Sequence, residues 1–245
     1  MGELCSCHKL LAEKVQEFLN NVTDVKEESI TDYLMWKWKE ADPLFKSVRA
    51  TPHNRHKEHY ISGADFELEL WILGNKKTVS LAVQAKRFIK AHDSYVSKIK
   101  YPKNTSNQID KLISYSKSQE NPRIPVYFLY TVPLESKTLC KHHYKNSGVF
   151  VVSAYEMKAF SQSKSRTELS LDKILDKSHS LACYFCHDKS EESEFFRYLG
   201  INENVDSDVT IPNYVHDILN GRVSNTNLPK AFRWIAVYDL RDKQE

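Results

Sequence analysis

Three side chains in this sequence have the types and spacing to carry out metal-assisted hydrolysis. They are Asp65 in "GADFELELWI" (63–72), and Gln84 and Lys86 in "LAVQAKRF" (81–88). If the two segments are adjacent antiparallel strands, side chains on one face lie within reach of each other, and the three converge on one point. A hard cation such as Mg²⁺ or Mn²⁺ takes oxygen ligands. That point offers the Asp65 carboxylate, the Gln84 amide oxygen and the Ala85 peptide carbonyl, with waters to complete an octahedron. Lys86 would then stand over an attacking water or a phosphate and supply positive charge as negative charge develops in the transition state. Phosphodiester hydrolysis suits this set. Hydride and acyl transfer do not, and the sequence has neither a Gly-rich phosphate loop nor a nucleophile elbow. Glu67 and Glu69 are expected on the Asp65 face, Glu67 just behind the site and Glu69 at the surface.

The elements that must position these groups are legible from periodicity. Leu11, Val15, Phe18 and Val22 recur at helical spacing and predict one amphipathic helix. Ser29, with Asp32 three residues on, predicts the start of a second helix that runs to about Asp42, where Pro43 stops it. In "GADFELELWI" the acids Asp65, Glu67 and Glu69 alternate with Phe66, Leu68 and Leu70. "LGNKK" then predicts the turn into "TVSLAVQAKRF", which alternates too. "QIDKLISYSKS" predicts a helix with Ile109, Leu112 and Ile113 on its inner side. "IPVYFLYTV", "SGVFVVSAY" and "RWIAVYDL" are short, nearly continuous apolar runs, as strands covered on both faces require. The pattern predicts an α/β domain with a mixed sheet flanked by helices. Residues 1–160 form its core, and 161–245 complete or extend the same domain.

At 245 residues and 41% hydrophobic content the chain can bury a sizeable core. It has no run of about 18 apolar residues, and charges interrupt its N-terminal segment, so no membrane partner and a cytoplasmic location are expected. A net charge of +3 does not by itself announce a nucleic-acid binder. The distribution is more telling. From Lys86 to Lys103 six basic residues (Lys86, Arg87, Lys90, Lys98, Lys100 and Lys103) face one acid, Asp93, and this stretch begins at the Gln-x-Lys segment. Arg87, Lys90, Lys98, Lys100 and Lys103 are the candidate nucleic-acid-binding residues. Residues 188–208 are acidic instead.

Taken in order, "EESITDYL", "GADFELE", "VQAKRF", "QIDKLI" and "PVYFLYT" resemble the PD-(D/E)XK restriction-endonuclease-like superfamily. The resemblance is to the Mrr-like variant, with glutamine at the acidic position of the second motif, and more narrowly to an uncharacterised bacterial branch. The resemblance covers roughly residues 27–155. It implies a restriction-endonuclease-like core and a Mg- or Mn-dependent endonuclease acting on DNA in preference to RNA, in a bacterial defence setting. It maps the catalytic set onto Glu28, Asp65, Gln84 and Lys86. The metal ligands become Asp65, Gln84, Ala85 and a helix glutamate, Glu28 or its neighbour Glu27, and Gln108 lines the same site. A homo-oligomer or a partner protein of a defence system would fit this setting. The alternative is a non-catalytic nucleic-acid- or partner-binding subunit of a larger assembly.

Two further patterns have competing readings. "CSCH" (5–8), "CKHH" (140–143) and "CYFCH" (183–187) contain zinc ligand types. Buried reduced cysteines and an exposed basic cluster at His142 and His143 are the simpler reading. Tyr33, Trp36 and Trp38 invite base stacking, but their helical spacing points to packing, with Trp38 the buried tryptophan.

Overall fold

The structure is a computed structural model that describes residues 3–22, 24–50, 66–74, 78–88, 108–118, 122–132, 146–162, 171–183, 210–223 and 227–241. Two helices lead. In α1 (Glu3–Asn21) Leu11 and Val15 are buried and Phe18 is partly so, while Val22 lies past the helix end and is exposed. In α2 (Glu27–Ala41) Ile30, Leu34 and Trp38 form the fully buried stripe. Trp38 stacks on Phe45 at 4.3 Å between ring centroids, and Trp36 on the other side of the helix is exposed. A buried side chain of this size contributes roughly 2–3 kcal/mol. The helix starts at Glu27, two residues before the expected Ser29. Its N-cap is Lys26, which makes no capping side-chain bond. Asp32 bonds across to Arg233 and Trp234 and takes no part in capping.

The strands are β1 (Phe45–Arg49), β2 (Phe66–Leu73), β3 (Thr78–Arg87), β4 (Ile124–Tyr130), β5 (Val149–Ser153), β6 (His179–Ser180) and β7 (Phe232–Asp239). They form one mixed seven-stranded sheet in the order β1-β7-β2-β3-β4-β5-β6. The β7–β2 and β3–β4 pairs are parallel and the other four antiparallel. Helices cover both faces, which gives the α/β architecture that the periodicity predicts. α1 and α2 pack on one face. On the other lie α3 (Gln108–Ser118), α4 (Ala154–Gln162), α5 (Leu171–Leu175) and α6 (Asn213–Leu219). Gly148 lets α1 press against the start of β5. Its N–H donates to Ala12 O at 3.0 Å, and a Cβ there would stand 2.4 Å from the Gln16 nitrogen.

The expected alternation of β2 holds from Leu68 to Leu73 and breaks at Glu67. All eight of its residues are buried, because helices cover both sides. Glu69 lies among Arg123 and Tyr214 on the α3/α6 side, whereas Glu67 contacts Arg233 of β7 and Thr31 of α2 on the other. The two acids therefore do not share a face. Phe66 packs with Tyr115 and Phe232, so Glu67 and Leu68 both turn toward α2. β7 breaks its pleat at the same level: Phe232 joins the α3 side, and Arg233 and Trp234 both reach Asp32 of α2. The strands stay in register through the break, with Phe66 opposite Phe232 and Leu68 opposite Trp234.

Candidate active site

β2 and β3 part at one end of their ladder. Their last paired residues there are Leu68 and Val83, so Gln84 to Arg87 extend past the described β2–β3 ladder. Successive residues of a strand direct their backbone groups to opposite edges. Phe88 N–H donates to Tyr130 O of β4 at 2.9 Å, so the Arg87 N–H and the Ala85 carbonyl face the edge away from β4. The Gln84 amide reaches the same edge, with Nε2 donating to Ala85 O at 3.3 Å. Gln84 Oε1 is buried without a hydrogen-bond partner. An amide oxygen in that state is costly unless something electropositive occupies its lone pairs.

The helix glutamates approach that edge from the opposite face. Gln84 and Lys86 share a face with Tyr127 and Leu129 of β4, toward α3, and Gln108 is the first residue of α3 on that side. Glu27 and Glu28 belong to the first turn of α2. Glu27 Oε1 accepts from the Arg87 N–H at 3.3 Å, while Glu28 lies close enough to Glu67 to oppose its ionisation. Gln84 and Glu27 therefore reach the Ala85 and Arg87 backbone from opposite faces, and Glu28 lies near Glu67 on the α2 side. Lys86 is half-buried, next to last in β3.

Arg87 lies at the end of β3, partly buried. Its guanidinium turns to α2 and donates from Nη1 to Val25 O at 2.8 Å. Asp65, Lys90, Lys98, Lys100 and Lys103 lie outside the described residues, as do the acidic stretch 188–208, Cys140, His142, His143, Cys186 and His187. Among the described residues no group of three or more His, Cys, Asp or Glu is arranged to hold a metal ion. Of the zinc candidates, Cys7 Sγ donates to Ala41 O at 3.3 Å and Cys183 packs against Ala12 and Ala182. His8 is buried against Tyr238 OH (3.2 Å) and the Asp42 carboxylate (3.6 Å), which joins α1 and the end of α2 to β7.

Residues 4–243 match a family of unknown function, DUF6615. The chain belongs to this family. No curated protein and no solved structure matches it. The family match extends over both the parting of β2 from β3 and the last strand, β7, so everything in the site lies within the DUF6615 region. No helix among the described residues is long and apolar enough to cross a membrane.

Some residues of the DUF6615 site escape sequence reasoning. Thr31 Oγ1 and Tyr130 OH are 2.9 Å apart, Arg233 Nη2 donates to Asp32 at 2.5 Å, and Arg233 Nη1 stands 3.7 Å from Glu67 Oε2. The one available signal was a charged residue, Arg233, opening a buried strand, since a buried charge requires a partner. Burial pushes Glu67 up to about 7, against the pull of Arg233 and with the help of Glu28. An acid whose folded-state pKa exceeds its unfolded one keeps a proton that the unfolded chain has released. Its contribution is therefore present below the usual 4.5 and is lost as pH rises toward about 7. The metal-free protein should lose on the order of 3 kcal/mol across that window, and Glu67→Gln should remove this pH dependence. Denaturant melts of both proteins from pH 5 to 8 check it, and parallel curves would refute the assignment.

Proposed function

We propose that this protein is a metal-dependent endonuclease of PD-(D/E)XK type, hydrolysing phosphodiester bonds, of DNA in preference to RNA. The observation that carries this reading is the end of β3 past its described pairing with β2. There Gln84 has a buried oxygen without a hydrogen-bond partner and its amide donates to the Ala85 carbonyl, while Glu27 of the first turn of α2 accepts from the Arg87 N–H two residues on. Two neutral oxygens alone bind Mg²⁺ or Mn²⁺ weakly, so carboxylates must complete the set. Asp65 and Glu28 supply them in our reading. Glu27 braces the Arg87 backbone, and Glu28 is the glutamate beside Glu67.

A bound divalent cation would polarise the scissile phosphate and lower the pKa of a water. Lys86 supplies a fixed positive charge for the extra negative charge of the transition state. The buried surroundings of Gln84 and Glu67 keep bulk water away, which strengthens every charge interaction at the edge. The resemblance of the ordered motifs adds the setting, a bacterial defence effector that works as a homo-oligomer or with a partner protein.

Incubation with supercoiled, linear and single-stranded DNA and with RNA, in Mg²⁺ or Mn²⁺ and in chelator, tests the reading. Cleavage confined to the metal-containing reactions is expected. Nucleic-acid binding without cleavage in any metal would replace the nuclease with the non-catalytic binding subunit. Gln84→Glu, which adds one formal charge to the ligand set, should bind Mg²⁺ more tightly in calorimetric titration. Equal affinities would remove Gln84 from the ligands.

A further inference from the structure

We infer that Arg87 is a positioning residue that sets the α2 carboxylates against the end of β3; this rests on the nuclease reading above. The first turn of α2 is closed by backbone bonds, with Ser29 and Ile30 N–H donating to Lys26 O at 3.1 and 3.2 Å. Its N-cap, Lys26, makes no side-chain bond to the first turn, and the chain enters the helix through Asp24, whose φ of +56° is in the left-handed region. Two of the contacts that fasten this entry to the sheet come from Arg87, beside the packing of Val25 and Ile30 in the core. Arg87 donates from Nη1 to Val25 O at 2.8 Å, and its backbone N–H donates to Glu27 Oε1 at 3.3 Å. Val25 is two residues before Glu27 and three before Glu28, so the clamp acts within one helical turn of both acids.

The type of residue matters. At the end of β3 the side chain must cross from the strand to a carbonyl in the loop, and a guanidinium offers a planar fork that fixes direction as well as distance. The placement also explains why a basic residue next to Lys86 is turned away from the α3 side where Lys86 and Gln84 lie: alternation directs it to α2. Its effect on a cation is indirect, through the position of Glu27 and Glu28, and such supporting contacts typically change metal affinity by about 10- to 100-fold.

The test compares wild type, Arg87→Met and Arg87→Lys by Mn²⁺ calorimetry, thermal melting, hydrogen exchange of the Glu27–Ile30 amides, and turnover at rising Mn²⁺. Arg87→Met is expected to melt cooperatively, to exchange these amides faster and to bind Mn²⁺ about 10-fold more weakly. Saturating Mn²⁺ should restore most of its turnover, because the reacting groups are intact. Arg87→Lys, which keeps a donor for Val25 O, should fall between the two. Unchanged exchange or unchanged Mn²⁺ affinity in Arg87→Met overturns the proposal. Loss of cooperative melting does so too, since Arg87 would then belong to the fold and not to the site. A wild-type protein that binds no Mn²⁺ would instead refute the nuclease reading, on a measurement that does not involve the variants.

Discussion

Replacing Lys86 by alanine should leave a folded protein whose metal-dependent cleavage is slower by on the order of 10²-fold or more. Lys86 is half-buried near the end of β3, past the last β2–β3 pair, so the sheet around it is fixed by Val83 and Ala85 and by the parallel ladder to β4. Truncating it opens no core cavity, and the melting temperature should move by only a few degrees. The rate should respond very differently. In the nuclease reading the ammonium acts most strongly on charge that exists only in the transition state, so kcat falls while substrate binding changes little. Initial rates on plasmid DNA at saturating Mg²⁺, with a melt of the same preparation, measure both. An unchanged rate would remove the Gln-x-Lys segment from the chemistry.

Arg123→Ala should cost about 3–5 kcal/mol of stability, the loss expected when one partner of a buried ion pair is removed. Glu69 is fully buried, and its Oε1 accepts from Arg123 Nε at 2.5 Å and from Tyr214 OH at 3.0 Å. The guanidinium lies 5.7 Å from the Tyr115 ring and 5.9 Å from that of Phe232, so its charge is held between aromatic faces. Burial raises the pKa of Glu69 and Arg123 opposes that rise. Without the arginine the carboxylate must either remain uncompensated or take up a proton, so the loss should be smaller at acid pH. Replacing both residues by apolar ones, Arg123→Met with Glu69→Leu, should recover most of the stability, because two desolvation costs disappear together. Denaturant melts of the two single variants and the double variant form the cycle. A loss below about 1 kcal/mol in Arg123→Ala would mean that the pair is solvated in the native protein.

The sequence by itself determined those parts of the molecule whose local pattern and tertiary environment agree. "QIDKLISYSKS" is α3 from its first residue to its last, with Ile109, Leu112 and Ile113 buried as their spacing predicts. The apolar runs at 124–130, 149–153 and 232–239 are strands covered on both faces, and Trp38 is the buried tryptophan of α2. Helical and strand periods are properties of a few consecutive residues, so they can be read without a partner. What depends on a distant partner could not be read. β1 is five residues with no clear alternation, and it becomes a strand by pairing with β7, almost two hundred residues later. β7 itself lies between β1 and β2, a place that nothing in its own apolar run specifies. The tertiary structure alone decided which way the acids of β2 point. Phe66 and Phe232 turn together toward Tyr115, the pleat of both strands breaks at one level, and Glu67 goes to α2 while Glu69 goes to Arg123. Arg87 is the same case on a smaller scale. Strand alternation turns its side chain to α2, where the guanidinium donates to the Val25 carbonyl. A charged side chain at a strand end goes to whichever partner the fold brings within hydrogen-bond reach, and the fold sets that distance.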